Sequence, residues 1–414
     1  MKNSRLFQIS LSTLILSMLV TFVSCADFDT SEEIISHTGE IQLTKAQQQL
    51  LESDNAFSIN LFKNFYDKTE GNLLLSPIST SISLAMLSNG ADRATYNEIA
   101  EVLGHPGIAL DEVNKYYGLF ISALDKVDSK VTYLSNNSFW YDKNKRLVPE
   151  YGKTLKKYYN SPVNAVDFAN ETTLERINKW GKEATDGLIP EVMSQIHPDT
   201  QFAVMNATLF RAPWGVPPSS ISKGIFYGID NAVTEVNYMK WACFNMSHSI
   251  DDYATLFSLS YGDKGAFSFI VIMPNSDFDD FVENLSPEKF KKITNSLYGG
   301  YVTLSIPQFT SSFEADDILI DVLEDMGIQR AFEPFTKYYG ILSDYSTGNW
   351  ESRHKTSITV DMKGTFAAGF NSFSSVRLAG LDNKSTSIVV NKPFIYAIRE
   401  NSTNAILFIG AFVK

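Results

Sequence analysis

One stretch limits what this chain can fold into more than any other. Residues 356–361 alternate β-branched residues with others, as a strand does. A turn and an ordinary return strand should follow, but the sequence becomes small instead: Gly364, Thr365, Ala367, Ala368, Gly369. From there to Asn391 it is mostly polar, with Arg377-Leu378-Ala379 near the middle. A long patternless loop inside a compact chain is usually functional or unstructured, and small residues let a backbone enter a narrow gap. Read as extended chain, Thr365, Ala367, Gly369 and Asn371 share one face, and none is larger than Asn. Phe366 and Phe370 lie on the other face. Such a segment fits between two strands with its small side over a packed core. Taken alone, it is equally compatible with a surface loop.

The chain has 414 residues, 44% hydrophobic and 13% aromatic, enough for a large core. Its formal charge is −12, and residues 1–24 contain two cations and no acid, so the remainder is more acidic still. That balance argues against nucleic acid and against general binding to anionic lipid. Residues 1–24 read as a targeting signal: Lys2 and Arg5, then an apolar run from Leu11 to Val20 too short for an ordinary membrane span. Ser24-Cys25 at its end resembles the lipobox of bacterial lipoproteins, with Phe22 where Leu is usual. That implies a lipid on Cys25. Ala26 after the cysteine favours the outer membrane. Residues 25–42, with Asp27, Asp29, Glu32 and Glu33, read as an acidic tether compatible with display on the cell surface. Without the lipid, the product is secreted or periplasmic. Cys243 is the second of two cysteines and sits among apolar neighbours, as a small buried hydrophobe does.

The globular part begins at residue 43. Helices are expected at 43–68 (Phe57, Leu61 and Phe65 in one stripe), 81–87 with Ser79 or Thr80 as cap, 95–103, 110–126, 150–159 and 174–185. Strands are expected at 72–76, 130–141, 202–210, 266–273 and 301–306, and a late helix at 316–326. Helices dominate the first half and strands the second, which is an α+β chain. The carboxylate clusters at 277–280 and 314–321 read as solvated helix ends. Lys156-Lys157 and Lys291-Lys292 read as exposed helix faces. No motif of hydrolases, metallopeptidases or phosphate-binding loops is present, and the five histidines have no ligand-like spacing. The chain is read as no enzyme, with no metal and no cofactor.

Several blocks carry a family resemblance. Asn72-Leu73-Leu74-Leu75-Ser76-Pro77-Ile78-Ser79 with the stretch 84–90, Asn178 and Trp180, Asn206 to Arg211 with Trp214, residues 302–309, the small stretch 363–369, and Asn391 to Phe394 with 407–410 resemble the serpins. They fall in the family's order across 45–414. The resemblance implies one domain over 43–414: three β-sheets, eight to nine helices and a mobile reactive-centre loop at about 362–390. It implies a monomeric suicide substrate. A serine or cysteine protease cuts the loop, and the freed segment enters the main sheet and traps the protease as an acyl-enzyme.

The hinge is then Lys363, Gly364, Thr365, Phe366, Ala367, Ala368 and Gly369. In the family the scissile bond lies fourteen residues past the hinge glycine, which from Gly364 is Leu378–Ala379. A shift of one gives Arg377–Leu378. Leu378 suits chymotrypsin-, elastase- or subtilisin-like proteases, and Arg377 a trypsin-like one. Ser76, Ser79, Asn206 and His354 match the family's shutter, the polar cluster where the sheet parts, and Trp214 matches the breach at its top. Met362, Phe366 and Phe370 depart from the usual Glu, Glu and Ala, but alternation turns both phenylalanines outward. Two other readings stay open: a non-inhibitory serpin-fold substrate or binding module, and an outer-membrane lipoprotein that binds a nutrient.

Overall fold

Helix α1 (Lys45–Lys68) begins at a reciprocal cap. The Thr44 side chain accepts from the Gln47 N–H and the Gln47 side chain accepts from the Thr44 N–H. Its expected stripe of Phe57, Leu61 and Phe65, widened by Ile59 and Phe62, is buried. The structure, a computed structural model, describes residues 39–229, 232–315, 318–346, 352–365 and 385–413. All described residues belong to one compact unit.

Strand β1 (Leu73–Leu75) leads into α2 (Pro77–Ser88). This helix starts earlier than expected. Pro77 takes its first turn, where a missing N–H costs nothing, so Ser76 flanks the helix and the expected caps, Ser79 and Thr80, lie inside it. Then come α3 (Arg93–Val102), capped by Asp92, α4 (Leu110–Leu124), β2 (Thr132–Asp142) and α5 (Pro149–Tyr159), which stops at left-handed Asn160. Strand β3 (Val163–Val166), helix α6 (Glu171–Ala184) and strand β4 (Phe202–Pro213) follow. The strand-rich half holds β5 (Ser220–Tyr227), β6 (Val233–Ile250), β7 (Ala254–Tyr261), β8 (Phe267–Pro274), the short helices α7 (Phe278–Glu283) and α8 (Pro287–Thr294), then β9 (Tyr298–Pro307), β10 (Phe309–Glu314) and α9 (Ile318–Asp325). Strands β11 (Lys355–Asp361), β12 (Gly364–Thr365), β13 (Thr386–Val389), β14 (Phe394–Glu400) and β15 (Ile406–Phe412) end the chain. Nine helices and fifteen strands among the described residues make the α+β chain the sequence implied.

One sheet has the order β10-β11-β12-β4-β2-β3. The other strands form a network, β1-β15-β14-β8-β7-β6-β9-β13, with β5 also on β6. Strand β6 is the longest strand of this nine-stranded sheet. Its first half pairs with β5, β9 pairs with it from Tyr238 to His248 with a register shift between Trp241 and Phe244, and its last residues also pair with β7. Cys243 lies at that shift and is half-buried, less enclosed than expected. The continuous apolar run of β8 is buried on both faces, as such a run requires. Phe269 and Val271 pack in one core with Trp214 and Tyr396, and Ile270 and Ile272 pack in the other under α1. The first core lies beneath the six-stranded sheet.

The cluster at 277–280 is a helix start, with Asp277 accepting from the N–H groups of Asp279 and Asp280. Glu314 pairs with Lys355. Lys156, Lys157, Lys291 and Lys292 are exposed on α5 and α8.

Candidate functional site

In the six-stranded sheet, β12 lies between β11 and β4 and is two residues long. Val360 pairs with Thr365, and Thr365 with Ala212, both antiparallel. Beyond it, among the described residues, no ladder joins β4 to β11. From 202 to 211 β4 pairs with β2, and from 355 to 359 β11 pairs with β10. Two strand spacings, about 9.5 Å, separate β4 and β11 where β12 intervenes. The gap between these two edges is a slot, and strand edges that lack a ladder to each other are templates for another strand.

The top of the slot is tightly built. Gly364 has φ +146°, and a Cβ there would stand 2.0 Å from the Ala212 carbonyl oxygen, so only glycine fits. Lys363 beside it is exposed, whereas Thr365 is 1% exposed, its hydroxyl against that of Tyr261. Burial pushes the Tyr261 phenol far above its usual range, so it stays neutral. Its ring stacks on Trp214 at 4.8 Å and 12°. The Trp214 indole N–H donates to the Asp361 carbonyl at 2.7 Å, and its backbone N–H donates to that of Lys363 at 3.3 Å. Trp214 thus ties β4 to the turn that enters the slot. The partner Tyr261 was invisible in the sequence, since nothing local relates it to residues over a hundred positions away.

Beneath the slot, the four polar residues singled out from sequence lie on one path. The Ser76 N–H donates to Nε2 of His354 at 3.4 Å, and the Ser76 hydroxyl donates to the Leu407 carbonyl at 3.2 Å. The Ser76 and Ser79 hydroxyls are 2.9 Å apart, Ser79 touches the Thr208 hydroxyl, and Thr208 donates to the Asn206 side chain at 3.0 Å. The Asn206 amide donates to Ser135 and Asn137 on β2. Thr208, the missing link, lies inside the 206–211 block but was not singled out there. Leu407 and the Asn206 oxygen only accept, so three hydroxyl protons serve four contacts and one contact always lacks a proton. The path therefore has more than one possible proton arrangement. Burial pushes His354 down to about 4, which keeps the ring neutral and able to accept.

The lower slot opens into a cavity of about 870 Å³, lined by Ser79, Leu84 and Leu87 of α2, Leu323 of α9, His354 and the β4 edge. Residues 189–201 also line it. Asn178 of α6 holds that strap: its amide donates to the Met193 carbonyl, and its oxygen accepts from the Val192 and Met193 N–H groups. Of the other residues proposed from sequence, Cys25, Phe366, Ala367, Ala368, Gly369, Arg377, Leu378 and Ala379 lie outside the described residues. No group of His, Cys, Asp or Glu among the described residues could hold a metal.

Comparison with known proteins agrees with this architecture. A family model described as serpin (serine protease inhibitor) matches residues 52–414. Thyroxine-binding globulin of Sus scrofa is 26% identical over 96% of this chain and 97% of its own. Alpha-1-antitrypsin of Sus scrofa is 24% identical over 86% and 84%. The crystal structure of the thermophilic serpin Tengpin in its native state superposes with a TM-score of 0.80 at 28% identity, covering 91% of this chain and 96% of that one. The fold defines an α+β protein of the serpin architecture. The chain belongs to the serpin family.

Proposed function

We propose that this chain is a suicide-substrate protease inhibitor. The observation that carries the reading is the one-strand-wide slot between β4 and β11, with Gly364 and Thr365 already seated at its top. Continued in register, residue 367 falls opposite Phe210 and Ile358, both buried, and 371 opposite Asn206. Odd-numbered residues then face the core, so Ala367, Gly369 and Asn371 are small where space is least, and Phe366 and Phe370 point outward. The protease's serine hydroxyl (or cysteine thiol) adds to the carbonyl of Leu378, or of Arg377 in the alternative register. The bond to Ala379, or Leu378, breaks and its amine leaves with a proton, while the acyl group stays on the enzyme. The released segment enters the slot, forming about ten backbone bonds at ~0.5–1.5 kcal/mol each. Trapping requires that this outruns hydrolysis of the acyl bond.

The proton-deficient path through Ser76, Ser79, Thr208, Asn206 and His354 lets β4 slide over α2 by exchanging partners rather than losing them. Trp214 holds the upper end while the lower end parts. The signal at 1–24 and a lipid on Cys25 set this activity at the outer membrane or cell surface, where it guards the cell's own proteins against foreign proteases. Relatives named for thyroxine binding support a second reading, a carrier whose loop is cut without trapping.

The test is incubation with trypsin-, chymotrypsin-, elastase- and subtilisin-type proteases, followed by denaturing gels and mass spectrometry of the released C-terminal peptide. An SDS-stable complex, with a peptide beginning at Ala379 or Leu378, is the expected result. A peptide without a complex for every protease favours the second reading.

A further inference from the structure

The wall that α2 and α9 give the cavity is uncharged and graded. Helix α2 turns Ser79, Thr80, Ser83, Leu84 and Leu87 toward it, positions spaced as one helical face. The stripe is polar at its start and apolar at its end, and it runs about 12 Å from Ser79 to Leu87 at the rise of a helix. Leu319, Ile320 and Leu323 of α9 line the same cavity, and the first two are only half-buried. Among the described residues, neither helix lends the cavity a charge. Burial keeps His354, which also lines it, neutral. The charged lining residues come from elsewhere: Asp142 and Lys145 around the end of β2, Asp199 before β4, and Arg353 and Lys355 at the start of β11. Thr80 is 4% exposed, and its hydroxyl has no hydrogen-bond partner among the described residues. Ser88 on the same helix turns its hydroxyl back to the Leu84 carbonyl at 2.8 Å, and Thr80 does not do the like. A buried hydroxyl left unpaired costs free energy that a ligand with a polar atom recovers.

We propose that this cavity binds a neutral single-chain amphiphile, its uncharged head at the Thr80 hydroxyl and its chain along Leu84, Leu87 and Leu323. The volume of about 870 Å³ falls within the usual range for small-molecule pockets, roughly 300–1,000 Å³. At about 1.2 Å per bond of extended chain, about ten carbons match the length of the stripe. An ionised head against α2 would be a buried charge without a partner, which is far costlier than a buried hydroxyl. The β4 edge from Phe202 to Ala207 lines the same cavity, so an occupant stands where a strand added to that edge would lie. Occupancy therefore lowers protease trapping. That consequence, unlike binding itself, rests on the insertion reading above.

Titration calorimetry of the intact chain with the 1-alkanols from hexanol to dodecanol tests the site. Each methylene is expected to tighten binding about three- to four-fold up to decanol, with no further gain at dodecanol. Decanoate and decyltrimethylammonium should bind about ten-fold more weakly than decanol, or worse. Thr80→Val keeps the shape and removes the hydroxyl, and it should weaken decanol about three- to ten-fold. Ser83→Leu puts an isobutyl group into the cavity and should abolish saturable binding. Uptake that never saturates, affinity still rising at dodecanol, or equal binding of decanoate overturns the site, and so does decanol binding unchanged in both variants. Saturating decanol should also lower the yield of SDS-stable protease complex, with protease activity on a small peptide substrate unchanged. Bound decanol without effect on that yield overturns the competition. If no protease is trapped at all, the insertion reading fails, and the calorimetry still decides the site.

Discussion

Asp54 is buried at the junction of α1 and α4, and its two oxygens accept from the Tyr116 and Tyr117 hydroxyls, each at 2.9 Å. Burial outweighs those bonds and lifts its carboxyl to about 6. Its folded pKa lies above the unfolded one, so it disfavours the native state above pH 6, and that cost fades as pH falls toward 4. His354 does the opposite. Pushed down to about 4 by burial, it stays neutral while the unfolded chain takes up a proton, so stability is lost as pH falls from 6.5 to 4. Each effect is worth about 3 kcal/mol at its limit, and the two oppose each other. Asp54→Asn keeps an acceptor for the tyrosines without the charge. It is expected to raise stability at pH 7.5 by about 2 kcal/mol and to expose the His354 decline on acidification. Denaturant titrations at pH 7.5 and 4.5 check this. A loss of stability at pH 7.5 would mean that the buried carboxylate stabilises the native state.

At the scale of elements, the decisive piece is β12. Gly364→Ala places a methyl group against the Ala212 carbonyl in a backbone conformation that alanine avoids. The expected result is a hinge expelled from the slot, a loss of about 1–3 kcal/mol, and a shift in tryptophan fluorescence as Trp214 loses its acceptor at Asp361. Unchanged fluorescence and stability would show that the turn adapts without leaving the sheet. Much of this element was legible in the sequence. The strand at 355–361, the small residues after it and the role of alternation followed from local pattern, and so did the long helices and the all-apolar β8. The rest was not, for a physical reason. Ser76 and His354 are 278 positions apart and Ser76 and Leu407 are 331 apart, so only the family resemblance, not periodicity, could group them. Thr208 lay unmarked inside the 206–211 block, and Tyr261 had neither pattern nor resemblance to mark it. Strands β3, β5, β6, β7, β10, β13, β14 and β15 were not picked out one by one, and β3, β10 and β13 are too brief to show a period. The start of α2 was misjudged because Ser79 and Thr80 looked like caps beside a proline that itself opens the helix.

In the whole molecule, inhibition by insertion requires that the native sheet lack a strand that the chain itself carries. Thermal unfolding of the intact chain against the chain cut once between Phe366 and Ala379 tests this most directly. Breaking one peptide bond in a finished fold gains nothing and ordinarily loosens it. Filling a slot along β4 with about ten backbone bonds of ~1 kcal/mol adds on the order of 10 kcal/mol, enough to raise the midpoint by at least about 10 °C even in a large domain. The expected result is a cut chain markedly more heat-resistant than the intact one. A cut chain that melts at the same temperature or lower would contradict it, because the slot between β4 and β11 would then not be a place where this chain's own loop gains stability.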